Sequence, residues 1–118
     1  VPGEYNFPKK YCLRKKKGFE YVFKHGKKIS GEGLVCYWLS DEQMGNKLGI
    51  VVSKKVGRSV KRNRIKRYIR EFYRLNRPYF CKTGTLIVVA RQSISIWDHQ
   101  QIDAELKRLL QVGGILGG

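Results

Sequence analysis

Acidic residues are scarce in this 118-residue chain: nine Asp and Glu stand against 25 Lys and Arg, a formal net charge of +16. The nine form no convincing carboxylate pair of the kind that holds metal ions for phosphodiester cleavage. Only two histidines occur, His25 and His99, far apart and without an H-E-x-x-H or Cys–His grouping. The three cysteines, Cys12, Cys36 and Cys81, are odd in number and widely separated. That excludes a full disulfide framework, and no C-x-x-C spacing for zinc is present. They read as reduced thiols in a cytoplasmic protein, with Cys36 inside a strand. No Gly-rich phosphate loop or activated nucleophile is found. No apolar run approaches the ~20 residues needed to span a bilayer, and the first residues lack the charged-then-apolar order of a secretion signal. The expectation is therefore a chain with no catalytic residue, no metal site and no cofactor of its own.

What the chain does have is positive charge on a foldable body. A hydrophobic fraction of 42% with 12% aromatics argues for one folded domain over residues 1–118 rather than a disordered basic tail. Residues 1–10 would be a flexible arm and 112–118 a frayed Gly-rich tail. The excess charge points to nucleic acid or an anionic membrane surface.

The charge is concentrated between Ser53 and Arg77, where nine of the seventeen residues from Lys54 to Arg70 are Lys or Arg. From about Ser59 the stretch is periodic at helical spacing. Ile65, Ile69, Phe72 and Asn76 fall near one side with Tyr68 and Leu75 beside them, and Asn63, Lys66, Arg67, Arg70, Arg74 and Arg77 collect opposite. Arg62, Lys66, Arg70 and Arg74 follow one another at i,i+4, three like-charge contacts costing roughly 1 kcal/mol together. Lys61, Arg62 and Arg64 also crowd the first turn, where the helix dipole is already positive. A charge run usually means only a solvated face. Here its single sign and its position at the wrong helix end favour a polyanion that supplies the missing charge.

Around this helix the expected elements are a short helix Gly18–His25 stopped by Gly26, strands Leu34–Leu39, Leu48–Ser53 and Thr85–Ala90, and a last helix Trp97–Leu110. An edge strand near Lys28–Ile29 is also allowed by the pattern. Ser40–Lys47 is a polar turn, and Arg14–Lys17 a basic lead-in that is either solvated or in contact with phosphate. In the first helix, Phe19, Val22 and Phe23 have core spacing. In the first long strand, Leu34, Cys36 and Trp38 share one face and Val35, Tyr37 and Leu39 the other. Both faces are apolar, which requires cover on both sides or a groove on one. In the last helix Ile102, Leu106, Leu109 and Leu110 face the core. Asp98 and Asp103 sit at its start and Lys107 and Arg108 at its end, the arrangement that suits a helix dipole.

Lys54-Lys55-Val56-Gly57-Arg58-Ser59-Val60, then Arg62-Asn63-Arg64, Lys66-Arg67 and Arg70-Glu71, resembles the signature of the bacterial ribonuclease P protein subunit. The resemblance runs from about Leu13 to Leu110. It implies an α+β fold, an α–β sandwich of about four strands and three helices with a left-handed β-α-β crossover, akin to the second domain of a small-subunit ribosomal protein. It also implies a function: binding a catalytic RNA and the 5′ leader of precursor tRNA, so that the RNA, using magnesium, cleaves the leader. Carried residue by residue, it makes Lys54, Lys55, Arg58, Arg62, Asn63, Arg64, Lys66, Arg67 and Arg70 contacts to the catalytic RNA. Phe19, Phe23 and Tyr37 would line the leader groove, against the purely packed Phe19–Phe23 pair that the pattern alone suggests. From the residues alone, Asn63 could equally be a solvent-facing polar residue and Gly57 an ordinary turn glycine.

The alternative is a ribosomal-type structural RNA-binding protein, with the same charge and helix but no effect on RNA-catalysed cleavage. A helix-turn-helix DNA regulator would need a short helix before the basic one, where a strand is expected instead. A membrane-surface role conflicts with the sheet's need for the helix's apolar face. Neither DNA nor a membrane is expected as a partner.

Overall fold

The computed structural model describes residues 12–41 and 45–117. In chain order these form α1 (Lys16–His25), β1 (Lys27–Ser30), β2 (Leu34–Ser40), β3 (Lys47–Val52), α2 (Ser59–Asn76), β4 (Gly84–Ala90) and α3 (His99–Val112). The possible edge strand is β1. The last helix starts at His99 rather than Trp97, because Asp98 caps it. The flexible arm expected over residues 1–10 lies outside the described residues.

The four strands form one mixed sheet in the order β1-β2-β4-β3. β1 and β4 pair antiparallel with β2, and β3 pairs parallel with β4. Parallel neighbours need a crossover, and α2 supplies it between β3 and β4.

Strand alternation divides the interior in two. Leu34, Cys36, Trp38, Leu86, Val88 and Ala90 face α2 and α3 and join Ile65, Ile69, Phe72, Tyr73, Ile102, Leu106 and Leu109 in the main core. On the opposite face, Val22 of α1 is buried with Val35 and Ile87, outside that core. A ten-residue helix is too short to cover a four-stranded sheet, so β2's two apolar faces receive unequal cover. α1 ends at Gly26, whose N–H donates to the Val22 carbonyl at 2.7 Å. Its backbone there is extended, so the need for glycine is steric: a Cβ would lie 2.6 Å from that carbonyl oxygen and 3.1 Å from that of Trp38.

The stripe on α2 is rotated from the expected one. Tyr73, the largest fully buried side chain, is in it, whereas Leu75 is exposed. Asn76 donates its side-chain amide to the Phe72 carbonyl at 2.9 Å. The tail is also not frayed as expected. Gly113 and Gly114, the latter at φ +74°, turn the chain back so that Ile115 and Leu116 are buried, and Cys81 N–H donates to the Ile115 carbonyl at 2.7 Å. Two residues of a composition-flexible segment thus contribute core surface.

Glu105 ties α3 to the β1–β2 turn. It accepts from the Glu32 N–H at 2.8 Å and from Arg108 Nε and Nη2 at 2.9 and 2.7 Å. Burial, and secondarily the Glu105 charge, push the Cys36 thiol up to about 12. The unfolded thiol ionises near 9.0, so above that pH the unfolded chain binds fewer protons and stability falls with rising pH until about 12. Alkylation should therefore label exposed Cys81 readily and Cys36 only on unfolding. Mass spectrometry of native and denatured samples checks this, and equal rates would contradict it.

Candidate nucleic-acid interface

The basic residues of α2 do not occupy a single face. Lys66 and Arg70, half-buried and one turn apart, lean toward the outer edge of β3. There they line a cavity of about 270 Å³ with Phe19, Leu48, Ile50 and the segment Cys12–Arg14. Arg64 lies on the other shoulder with Lys61, against the start of α3. Between the shoulders Asn63 and Arg67 are exposed, with the Arg67 guanidinium 5.8 Å from the Tyr68 ring centre. Lys54 and Lys55 stand exposed on a 3-10 turn before α2, and Arg58 is exposed at its N-cap. Arg62 is half-buried and donates from Nε to the Gly57 carbonyl at 3.1 Å, so it also braces the turn. Gly57 itself has φ +153°, strained for any other residue.

The electrostatic conflict is visible by comparison of two helices. α2 has no acidic residue in its first turn and no side-chain cap. α3 has a complete capping box: Asp98 accepts from Gln101 N–H, and Gln101 Oε1 accepts from Asp98 N–H, both at 2.8 Å. One fold thus contains a helix start finished for stability and one left cationic. The repulsive i,i+4 series expected through Arg74 is relieved at its last member, where Arg74 pairs with Glu71. At the N-terminus of α2 no acidic residue offsets the charge within the first turn, and Lys16 of the lead-in makes a long 4.0 Å pair with Glu20.

The aromatic residues come together on the sheet face beside α1. Phe19 and Phe23 have ring centres 6.3 Å apart, and Phe23 meets Tyr37 edge-on at 4.8 Å. Beneath them Tyr37, Ile87 and Gly49 are in register across β2, β4 and β3. Gly49 lets Phe19 descend onto the sheet, since a Cβ there would stand 2.7 Å from the Phe19 ring. Phe19 and Tyr37 are half-buried and Phe23 is 40% exposed. The core placement that spacing alone suggests for Phe19 and Phe23 is thus replaced by a partly open row. Its Phe19 end opens onto the cavity with Lys66 and Arg70, so ring faces and cations share one trough.

The family model for ribonuclease P matches residues 7–112. The chain belongs to the ribonuclease P protein family. It is 44% identical over 104 residues to the ribonuclease P protein component of Clostridium botulinum, covering 87% of this chain and 94% of that one. It is 35% identical over 109 residues to the same component of Listeria innocua, covering 92% of each. Among solved structures, the Staphylococcus aureus ribonuclease P protein superposes with a TM-score of 0.85 at 30% identity, over 91% of this chain and 98% of that one. The Thermotoga maritima protein superposes at 0.77 and 30%, over 86% and 96%.

The fold brings together the three aromatics named from sequence, and adds Lys66 and Arg70 to them. It places Lys54, Lys55, Arg58, Asn63, Arg64 and Arg67 elsewhere, on the outer surface of α2 and its approach. Two parts of the trough were not expected in it. Gly49 looked like any strand residue, although a glycine inside an apolar run is a signal of close approach. Cys12–Arg14 is held along the free edge of β3, with Leu13 N–H donating to the Leu48 carbonyl at 2.9 Å, and no local pattern announces that pairing. Among the described residues, no helix is long and apolar enough to cross a membrane.

Proposed function

We propose that the chain grips the catalytic RNA of ribonuclease P with α2 and its approach, and holds the 5′ leader of precursor tRNA in the aromatic trough, promoting endonucleolytic 5′ maturation in the cytoplasm. The observation that carries this reading is the junction of the two surfaces: the row Phe19–Phe23–Tyr37 ends at Lys66 and Arg70 of the same helix that carries Arg62, Asn63 and Arg64. An unpaired strand needs ring faces for its bases and cations along its backbone. Folded RNA needs fixed positive charge for its phosphates.

In this mechanism the protein makes and breaks no bond. The RNA and its magnesium perform the cleavage, while α2 lowers the repulsion between RNA segments and the trough fixes the leader relative to the reacting phosphate. The test is to recover the chain with its bound RNA and sequence that RNA. One dominant structured RNA together with 5′-extended tRNA precursors is expected. Recovery of ribosomal RNA alone would replace this reading with that of a structural RNA-binding protein.

A further inference from the structure

A second cavity lies on the shoulder of α2 away from the trough, in the seam with the 3-10 turn Gln92–Ile96 and the start of α3. Its volume is about 340 Å³, within the range of about 300–1,000 Å³ in which small organic ligands sit. The walls are fixed by contacts of their own. Trp97 packs on the backbone of Gly33, where a Cβ would stand 2.8 Å from the indole. Tyr68 and His99 stack in parallel, 4.2 Å between centres at 5°, and His99 Nε2 lies 3.3 Å from Asp103. Lys61 donates to the Ser95 carbonyl at 2.8 Å, which orients its ammonium and clamps the turn.

Ile96, on that turn, exposes 87% of its surface although it shares the cavity's lining with Lys61, Arg64 and Asp98. An apolar side chain held in water among cations is complementary to something both flat and anionic. We infer that this cavity receives one unpaired nucleotide of the partner RNA, its base against Ile96 and the Trp97–His99 wall and its phosphate at Arg64 and Lys61. The inference rests on the RNA-binding reading of α2. Asp98 favours a base over an acidic peptide, because a carboxylate accepts from a base amino group but repels a second carboxylate. Folded RNA offers such nucleotides at loops and bulges, where bases are splayed out of the helix.

Ile96→Glu and Ile96→Ala test this in the complex with the RNA recovered from the wild-type chain. Both should keep the wild-type melting temperature, as the side chain is in solvent. Nucleotide-resolution chemical probing should show one unpaired base protected by the wild-type chain and freed by Ile96→Glu. RNA affinity should fall about five- to tenfold, with Ile96→Ala intermediate and the precursor-over-mature tRNA preference unchanged. Wild-type affinity and an unaltered protection pattern in Ile96→Glu would overturn the inference while leaving the RNA-binding reading standing. Loss of a co-purified protein instead of a base protection would overturn it in favour of a protein partner. Failure of the wild-type chain itself to bind the RNA would remove both readings.

Discussion

Replacing Arg62, Arg64, Arg67 and Arg70 together with alanine is expected to weaken binding to the partner RNA by roughly a hundredfold or more. A hydrogen bond to a charged group is worth about 1.5–3 kcal/mol, less where water competes, and the four span both shoulders and the exposed crest of α2. The salt dependence is the sharper readout. Each lost duplex phosphate contact should flatten the slope of log K against log salt by up to about 0.9, hence up to about 3.6 for the four. None of the four belongs to the main core, and removing like charges at i,i+4 relieves a small repulsion. Arg62 is the exception that needs a control, because its Nε braces the Gly57 carbonyl. Arg64→Ala alone, at an exposed position, should therefore show the slope change without a change in melting temperature. Unchanged slopes in every variant would remove α2 from the interface.

The second large effect is expected in the trough. Phe23→Ala and Tyr37→Ala should each lower the preference for precursor over mature tRNA by roughly five- to a hundredfold, following the ~1–3 kcal/mol of a stacked base. Phe23 is the cleaner site because it is 40% exposed. Gly49→Val should produce the same loss without touching an aromatic. Its side chain would occupy the place of the Phe19 ring, which a Cβ alone already approaches to 2.7 Å, at a cost of about 1–3 kcal/mol for overpacking. Competition binding with precursor and mature tRNA in the reconstituted complex measures all three. Equal losses for both tRNAs would reduce the aromatics to supports of the sheet.

Much of this architecture is legible in the chain because the physical signals are local. The helical period of Ile65, Ile69 and Phe72, the continuous run of β4 and the alternation of β2 each mark an element and its buried face. The resemblance carried by Lys54–Glu71 names the family, and the aromatics that follow from it do meet on one sheet face. What escaped is decided by contacts distant in sequence. Tyr73 lies at i+4 from Ile69, yet a phenol leaves the pattern undecided, and only the packing of Phe80 edge-on at 5.7 Å settles its side. Ile115 and Leu116 look like a frayed end because their glycine neighbours are flexible. That same flexibility makes the turn that buries them. The single basic face on a helical projection divides into two shoulders because β3 and α3 pack against opposite sides of α2, and no periodicity contains those neighbours.

The central claim is that a chain without chemistry of its own makes RNA-catalysed leader removal possible by fixing positive charge beside an unpaired strand. It is tested most directly by single-turnover cleavage of precursor tRNA by the partner RNA at limiting magnesium, with the wild-type chain, with the four-arginine variant, and without protein. Cleavage is expected with the wild-type chain and little with the variant or the RNA alone, the difference closing as magnesium is raised. Equal rates in all three at limiting magnesium would contradict it.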